Sequence, residues 1–138
     1  IAEDDPVSVE LLKMILPKTS KEILVAGNGK EAVDAVKANP DIDLILMDIR
    51  MPIMDGLEAI EQIRKFNKDV KIIAQTAFAQ EQDILKAFNA GCNNYISKPI
   101  NAKNLGSIIN NLFFRIHQMV KTYRFCIKRR DHIGFTAR

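Results

Sequence analysis

Asp48 follows the apolar run Leu44-Ile45-Leu46-Met47 and opens the segment Asp48-Ile49-Arg50-Met51-Pro52-Ile53-Met54-Asp55-Gly56. A carboxylate where a buried strand surfaces can act as a nucleophile, ligate a metal, or simply close a turn. Four more polar residues bear on that choice: Glu3 and Asp4 after Ile1-Ala2, Thr76 at the end of an apolar run, and Lys98 after the short stretch Asn94-Tyr95-Ile96-Ser97. Three carboxylates held together repel and raise each other's pKa unless a cation neutralises them. Oxygen ligands without histidine or thiolate select Mg²⁺, which keeps several waters and leaves positions for phosphate oxygens. With that ion and Lys98, the formal charges of Glu3, Asp4 and Asp48 balance. A carboxylate attacking phosphorus needs the phosphoryl oxygens screened, which the metal, Lys98 and the Thr76 hydroxyl would do, and the small Ala77 leaves the approach open. The product would be an aspartyl phosphate, whose charge and acceptor oxygens give Thr76 and Lys98 new partners and so make a switch.

These residues meet only if the chain folds in a particular way. Short apolar runs alternate with helix-period segments, the pattern of a parallel sheet wrapped by helices. The expected strands are 22–26, 43–48, 71–76 and 94–97, with Ile1-Ala2 as the stump of one more. Asp5-Pro6 reads as a cap and first-turn proline for a helix stopped at Pro17. Asn28-x-x-Glu31 and Asp55-x-x-Glu58 read as capping boxes for helices near 30–39 and 56–66. The helix around 80–89 has the weakest start signal, and the last begins near Asn101 and keeps its apolar spacing to Val120. Right-handed βα crossovers align the strands, so Glu3, Asp4, Asp48, Thr76 and Lys98 share the C-terminal edge of the sheet, where open α/β sheets bind ligands.

Composition places no obstacle in the way. The 138 residues suit a single domain with a real core, 47% hydrophobic and 27% charged. Cys92 and Cys126 make no metal-ligand pattern and read as reduced thiols in a cytoplasmic setting. No apolar run reaches the length of a membrane span. The net charge of +3 is uneven: residues 1–109 hold 13 Lys/Arg against 16 Asp/Glu, and residues 110–138 hold 7 against 1.

The run Ala2-Glu3-Asp4-Asp5-Pro6, the segment 46–56, the step Gln75-Thr76-Ala77 and the run Ala90-Gly91-Cys92-Asn93-Asn94-Tyr95-Ile96-Ser97-Lys98-Pro99 together resemble the receiver domain of two-component response regulators, over about residues 1–115. The resemblance implies a flavodoxin-like (βα)5 sandwich with parallel strand order 2-1-3-4-5. It makes Asp48 the phosphoacceptor from a phosphohistidine of a histidine kinase or phosphotransfer protein. Glu3, Asp4, Asp48 and the Arg50 backbone carbonyl then hold Mg²⁺, and Thr76 and Lys98 bind the phosphoryl group. The Arg50 side chain is expected to face solvent, where it could tune access to that group. Tyr95 becomes an aromatic switch with Thr76, Lys98-Pro99 a cis peptide, and the helix after Thr76, the Tyr95 strand and the last helix the output face. Phe88, Leu112 and Phe113 would lie there as a homodimer surface or as core.

The first strand is truncated, because only Ile1-Ala2 precedes the acidic pair. Losing half a central strand would be ruinous for the sheet, which favours residues upstream of Ile1, and the motifs resemble receivers joined to hybrid sensor kinases. The expected division is a receiver over 1–118 and a basic extension over 119–138. The extension mixes Tyr123, Phe125 and Phe135 with Arg124, Lys128, Arg129 and Arg130, but too few residues remain for a DNA-binding effector domain, so nucleic acid is not the expected partner. His117 and His132 read as surface residues. Two rivals remain: a phosphatase using an aspartyl nucleophile, which normally wants a second aspartate where Arg50 stands, and a phosphate-independent interaction module. The signalling domain is not expected to be an enzyme in its own right.

Overall fold

Short parallel strands form the spine of the computed structural model, which describes residues 1–18, 20 and 22–114. Strands β1 (Leu44–Asp48), β2 (Lys71–Thr76) and β3 (Asn94–Ser97) pair in parallel in the order β1-β2-β3. Ala2 makes parallel bridges to both Ala26 and Met47, which places the Ile1-Ala2 stump between the 22–26 segment and β1. Numbered in chain order, the five extended segments therefore lie 2-1-3-4-5, as the resemblance implies.

The helices are α1 (Pro6–Ile15), α2 (Gly29–Ala38), α3 (Gly56–Phe66) and α4 (Glu81–Ala90), and residues 102–114 are also helical. Each start follows from its local chemistry. Asp5 accepts from the Ser8 amide at 3.0 Å, Asn28 from Glu31 at 2.9 Å and Asp55 from Glu58 at 2.9 Å, satisfying amides that a helix leaves orphaned. The boxes close only in part: Glu31 reaches back to the Gly27 amide rather than to Asn28, and Glu58 accepts from Gln62. Gln80 gives α4 no side-chain cap, matching its weak signal. Gly91 ends α4 with φ +115, a conformation that favours glycine.

One expected strand is not formed. Of the 22–26 segment only Ala26 bridges, because its neighbour offers just Ile1-Ala2 as a ladder partner. The Glu3 amide donates to Ala26 at 2.9 Å and the Ala26 amide to Ile1 at 2.8 Å, and before these bonds Leu24 and Val25 stay exposed beside a cavity of about 530 Å³.

Alternation divides the core. Ile45, Met47, Ile72 and Ala74 pack with Ala32 and Val36 of α2, Ala59, Ile60 and Ile63 of α3, and Ala87 and Ala90 of α4. By the strand period, Leu46, Ile73, Gln75 and Ile96 turn to the opposite face. Val9 and Leu12 of α1 and Leu105 are buried outside the first cluster and supply the second layer. The chain falls into two compact units, Ile1–Gly106 and Ser107–Arg138, and within the second only 107–114 are described. Cys126, His117, His132 and the basic 119–138 segment lie outside the described residues. Among the described residues, no helix is long and apolar enough to cross a membrane.

Candidate phosphoacceptor site

Parallel pairing brings the strand ends to one edge, and the acidic residues meet there. One carboxylate oxygen from each of Glu3, Asp4 and Asp48 lies within 4.8 Å of the other two. Glu3 is 2% exposed and Asp48 6%, whereas Asp4 faces solvent. The backbone fixes both ends of this cluster: the Asp48 amide donates to the Ala2 carbonyl at 2.9 Å and the Ala2 amide to Leu46 at 2.8 Å.

Lys98 arrives from the end of β3, its amide held by the Thr76 carbonyl at 2.8 Å and its bond to Pro99 cis. Its ammonium donates to Glu3 Oε2 at 2.8 Å and stands 3.3 Å from Asp48 Oδ1. Burial and then the neighbouring Glu3 carboxylate raise the Asp48 pKa above the usual aspartate range; Lys98 and the Arg50 amide oppose the rise. Burial works against the Lys98 charge, but the bonds to Glu3 and Asp48 prevail and hold its pKa above the usual lysine value. Three carboxylates against one ammonium leave two negative charges in the cluster. All of its donors are hard oxygens, so the residues present fit one divalent cation of the Mg²⁺ type.

Glycine brings the next helix onto Asp48. A Cβ at Gly56 would run into the Asp48 carbonyl, and the Gly56 amide donates to Ile49 at 2.8 Å, so the loop from Asp48 returns to its own start. Ile53 at the tip of that loop is 81% exposed and adopts φ +69.

Not every expected residue faces the cluster. Thr76 ends β2 on the correct edge, but its hydroxyl donates to the Phe78 carbonyl at 2.9 Å and accepts from the Phe78 amide at 3.1 Å. Arg50 is exposed, as expected, and its guanidinium also lies over the Phe78 ring, 5.1 Å from the centroid. Tyr95 is half-buried on β3 and packs edge-to-face against Phe88, with centroids 6.1 Å apart. Thr76, Phe78 and Tyr95 line a cavity of about 60 Å³. Gly56 is marked in the sequence as a glycine opening a capped helix eight residues after Asp48; the Phe78 contact leaves no such trace.

The sequence profile described as response regulator receiver domain matches residues 1–110. The chain belongs to this family. It is 37% identical over 112 residues to the chemotaxis protein CheY of Halobacterium salinarum, covering 81% of this chain and 92% of that protein. It is also 39% identical over 118 residues to hybrid signal transduction histidine kinase I of Dictyostelium discoideum, covering 80% of this chain but only 7% of the kinase. Among solved structures, a chain of the CheX-CheY-BeF3-Mg complex from Borrelia burgdorferi superimposes with a TM-score of 0.76 at 29% identity, covering 81% of this chain and 85% of that one. A chain of the Saccharomyces cerevisiae co-crystal of the phosphotransfer protein Ypd1 with the receiver domain of Ssk1 gives 0.73 at 35% identity, covering 79% and 83%. The fold is therefore the CheY-like flavodoxin fold, and the chain is a receiver domain of two-component phosphorelay signalling, a phosphoacceptor signalling module.

Proposed function

We propose that this receiver takes a phosphoryl group onto Asp48 from the phosphohistidine of a histidine kinase or phosphotransfer protein, and signals by the change of shape that follows. The observation that carries the reading is the cluster of Glu3, Asp4 and Asp48 with Lys98 spanning two of its carboxylates at the C-terminal sheet edge. In the step, an Asp48 oxygen attacks phosphorus in line. The bond from phosphorus to the imidazole nitrogen breaks, and its electron pair returns to the imidazole. Glu3, Asp4, Asp48 and the Arg50 backbone carbonyl would hold Mg²⁺, which when bound screens the phosphoryl oxygens.

This chain's own side chains do the rest. Lys98, anchored by Glu3, shifts its second contact from Asp48 to a phosphoryl oxygen. Thr76 leaves Phe78 and donates to another oxygen, and Tyr95 turns into the space beside it. The altered surface is that of α4 and β3. Leu85 and Phe88 are exposed on α4 and offer a homodimer contact. The partner of Ssk1 in the yeast co-crystal supports a phosphotransfer protein as donor here. The short span within hybrid kinase I supports a receiver carried by a larger kinase. The same reading takes 1–118 as the receiver, 119–138 as a basic extension and the cytoplasm as the compartment. Arg50 two residues after Asp48 disfavours an aspartyl phosphatase, which wants a carboxyl acid-base there.

Incubation with acetyl phosphate and Mg²⁺, followed by intact mass, tests the reading. Wild type gains one phosphoryl mass and Asp48→Asn gains none. Labelling that survives metal chelation would show that Glu3 and Asp4 have been given the wrong role.

A further inference from the structure

Thr76 has to reach a phosphoryl group on Asp48, yet its hydroxyl is already committed twice. It donates to the Phe78 carbonyl and accepts from the Phe78 amide, so Thr76 and the backbone two residues on form a closed pair. Such local side-chain bonds compete directly with any other partner the hydroxyl could take. Phe78 itself is half in water, 53% exposed, in a loop with no regular structure. The guanidinium of Arg50 lies over its ring, 5.1 Å from the ring centre, beside the small cavity that Phe78 helps to line. Arg50 is two residues from the acceptor and leaves on the loop that begins at Asp48.

We propose that Arg50 and Phe78 form a latch that keeps Thr76 turned away from the acceptor until a phosphoryl group arrives. The proposal rests on the phosphoacceptor reading and adds to it a positioning residue, Arg50, acting on Thr76 through Phe78. A phosphoryl dianion on Asp48 is a stronger partner for a guanidinium than an exposed aromatic face, because charge-assisted bonds exceed exposed cation–π contacts. When Arg50 turns to the phosphoryl group, Phe78 loses its clamp, and the Thr76 hydroxyl can exchange its Phe78 bonds for a phosphoryl oxygen. The cavity of about 60 Å³ lined by Arg50, Thr76, Phe78, Asp83 and Tyr95 gives these side chains somewhere to move. Acceptor occupancy and release of the Thr76 loop are thereby one event.

The test is titration with beryllofluoride and Mg²⁺, followed by the backbone amide signals of Thr76 and Phe78. Phe78→Leu keeps apolar bulk but removes the ring face. An exposed cation–π contact corresponds to about two- to fivefold in an equilibrium constant, so this variant binds beryllofluoride about two- to fivefold more tightly. Phe78→Tyr keeps the face and behaves as wild type. In an Arg50→Gln background Phe78→Leu is silent, since the clamp is already gone. The latch is overturned if Phe78→Leu leaves the affinity unchanged or weakens it, or acts equally in both backgrounds. Wild type that binds beryllofluoride while the variants match it removes the latch alone. Wild type that binds none removes the phosphoacceptor reading and the latch with it.

Discussion

The Lys98 ammonium lies nearer to Glu3 than to Asp48, 2.8 Å against 3.3 Å. On the proposed reading Glu3 is not the carboxylate that takes the phosphoryl group, so the lysine would stay anchored there while its other contact changes. Removing it leaves Glu3 and Asp48 buried without their cation. Breaking a buried pair by deleting one partner costs about 3–5 kcal/mol, and the partial exposure of Lys98 puts the expected loss for Lys98→Met at the lower end, about 3 kcal/mol. Urea unfolding in a chelator measures it, and added Mg²⁺ recovers part of the loss. An unchanged midpoint without metal would rule out this pairing.

Asp48 also makes metal-free stability depend on pH. Burial first, and Glu3 second, raise its folded pKa above the ordinary aspartate value. A carboxyl raised in this way binds its proton better folded than unfolded. Its contribution is present below the unfolded pKa and is lost as pH rises through the folded one. In a chelator, wild type therefore loses stability relative to Asp48→Asn as pH climbs from about 4 toward neutrality. Mg²⁺ favours the charged form and narrows that difference. Parallel denaturation curves for the two proteins at every pH would contradict the shift.

Gln75 is fully buried beside Thr76, and neither its amide nitrogen nor its amide oxygen has a partner among the described residues. An unpartnered buried amide costs about 1–3 kcal/mol. Gln75→Met is close in volume and has no amide to satisfy. It should raise stability by about 1–2 kcal/mol, read as a higher urea midpoint at unchanged slope.

Ile53 holds φ +69 with a branched, 81% exposed side chain. A β-branched residue in the left-handed region costs about 1–2 kcal/mol, and so little burial offsets it poorly. Ile53→Asn, which tolerates that conformation, is expected to stabilise by about 1 kcal/mol and leave acetyl phosphate labelling intact. Thermal denaturation and intact mass on the same sample check both halves.

Much of this architecture was readable in the residues. Asp5, Asn28 and Asp55 each carry a side chain that satisfies a nearby amide, so the helix starts are local chemistry and appear at the expected places. β2 was legible as an apolar run, and β3 as the short stretch Asn94-Tyr95-Ile96-Ser97 ahead of Lys98-Pro99. The 22–26 segment has a strand's composition but not a strand's neighbour, and a ladder is a property of two segments. At the site, the shared edge follows from handedness alone, which is why Glu3, Asp48 and Lys98 meet as expected. The orientation of Thr76 does not follow from it. Its hydroxyl chooses between an anion and the backbone of Phe78, and a hydroxyl's choice depends on what else is within reach. The stacking of Arg50 on Phe78 joins two loops, and the unpartnered Gln75 amide depends on what packs over the sheet.

The loop between Asp48 and α3 closes on itself, with Gly56 bound to Ile49 at 2.8 Å and no room for a side chain beneath the Asp48 carbonyl. A loop pinned at its neck cannot absorb an inserted residue there without pushing the acceptor out of line. Its exposed tip at Ile53 has no such constraint, so a reporter group or short epitope spliced at the tip would ride on the loop and leave the aspartate in place.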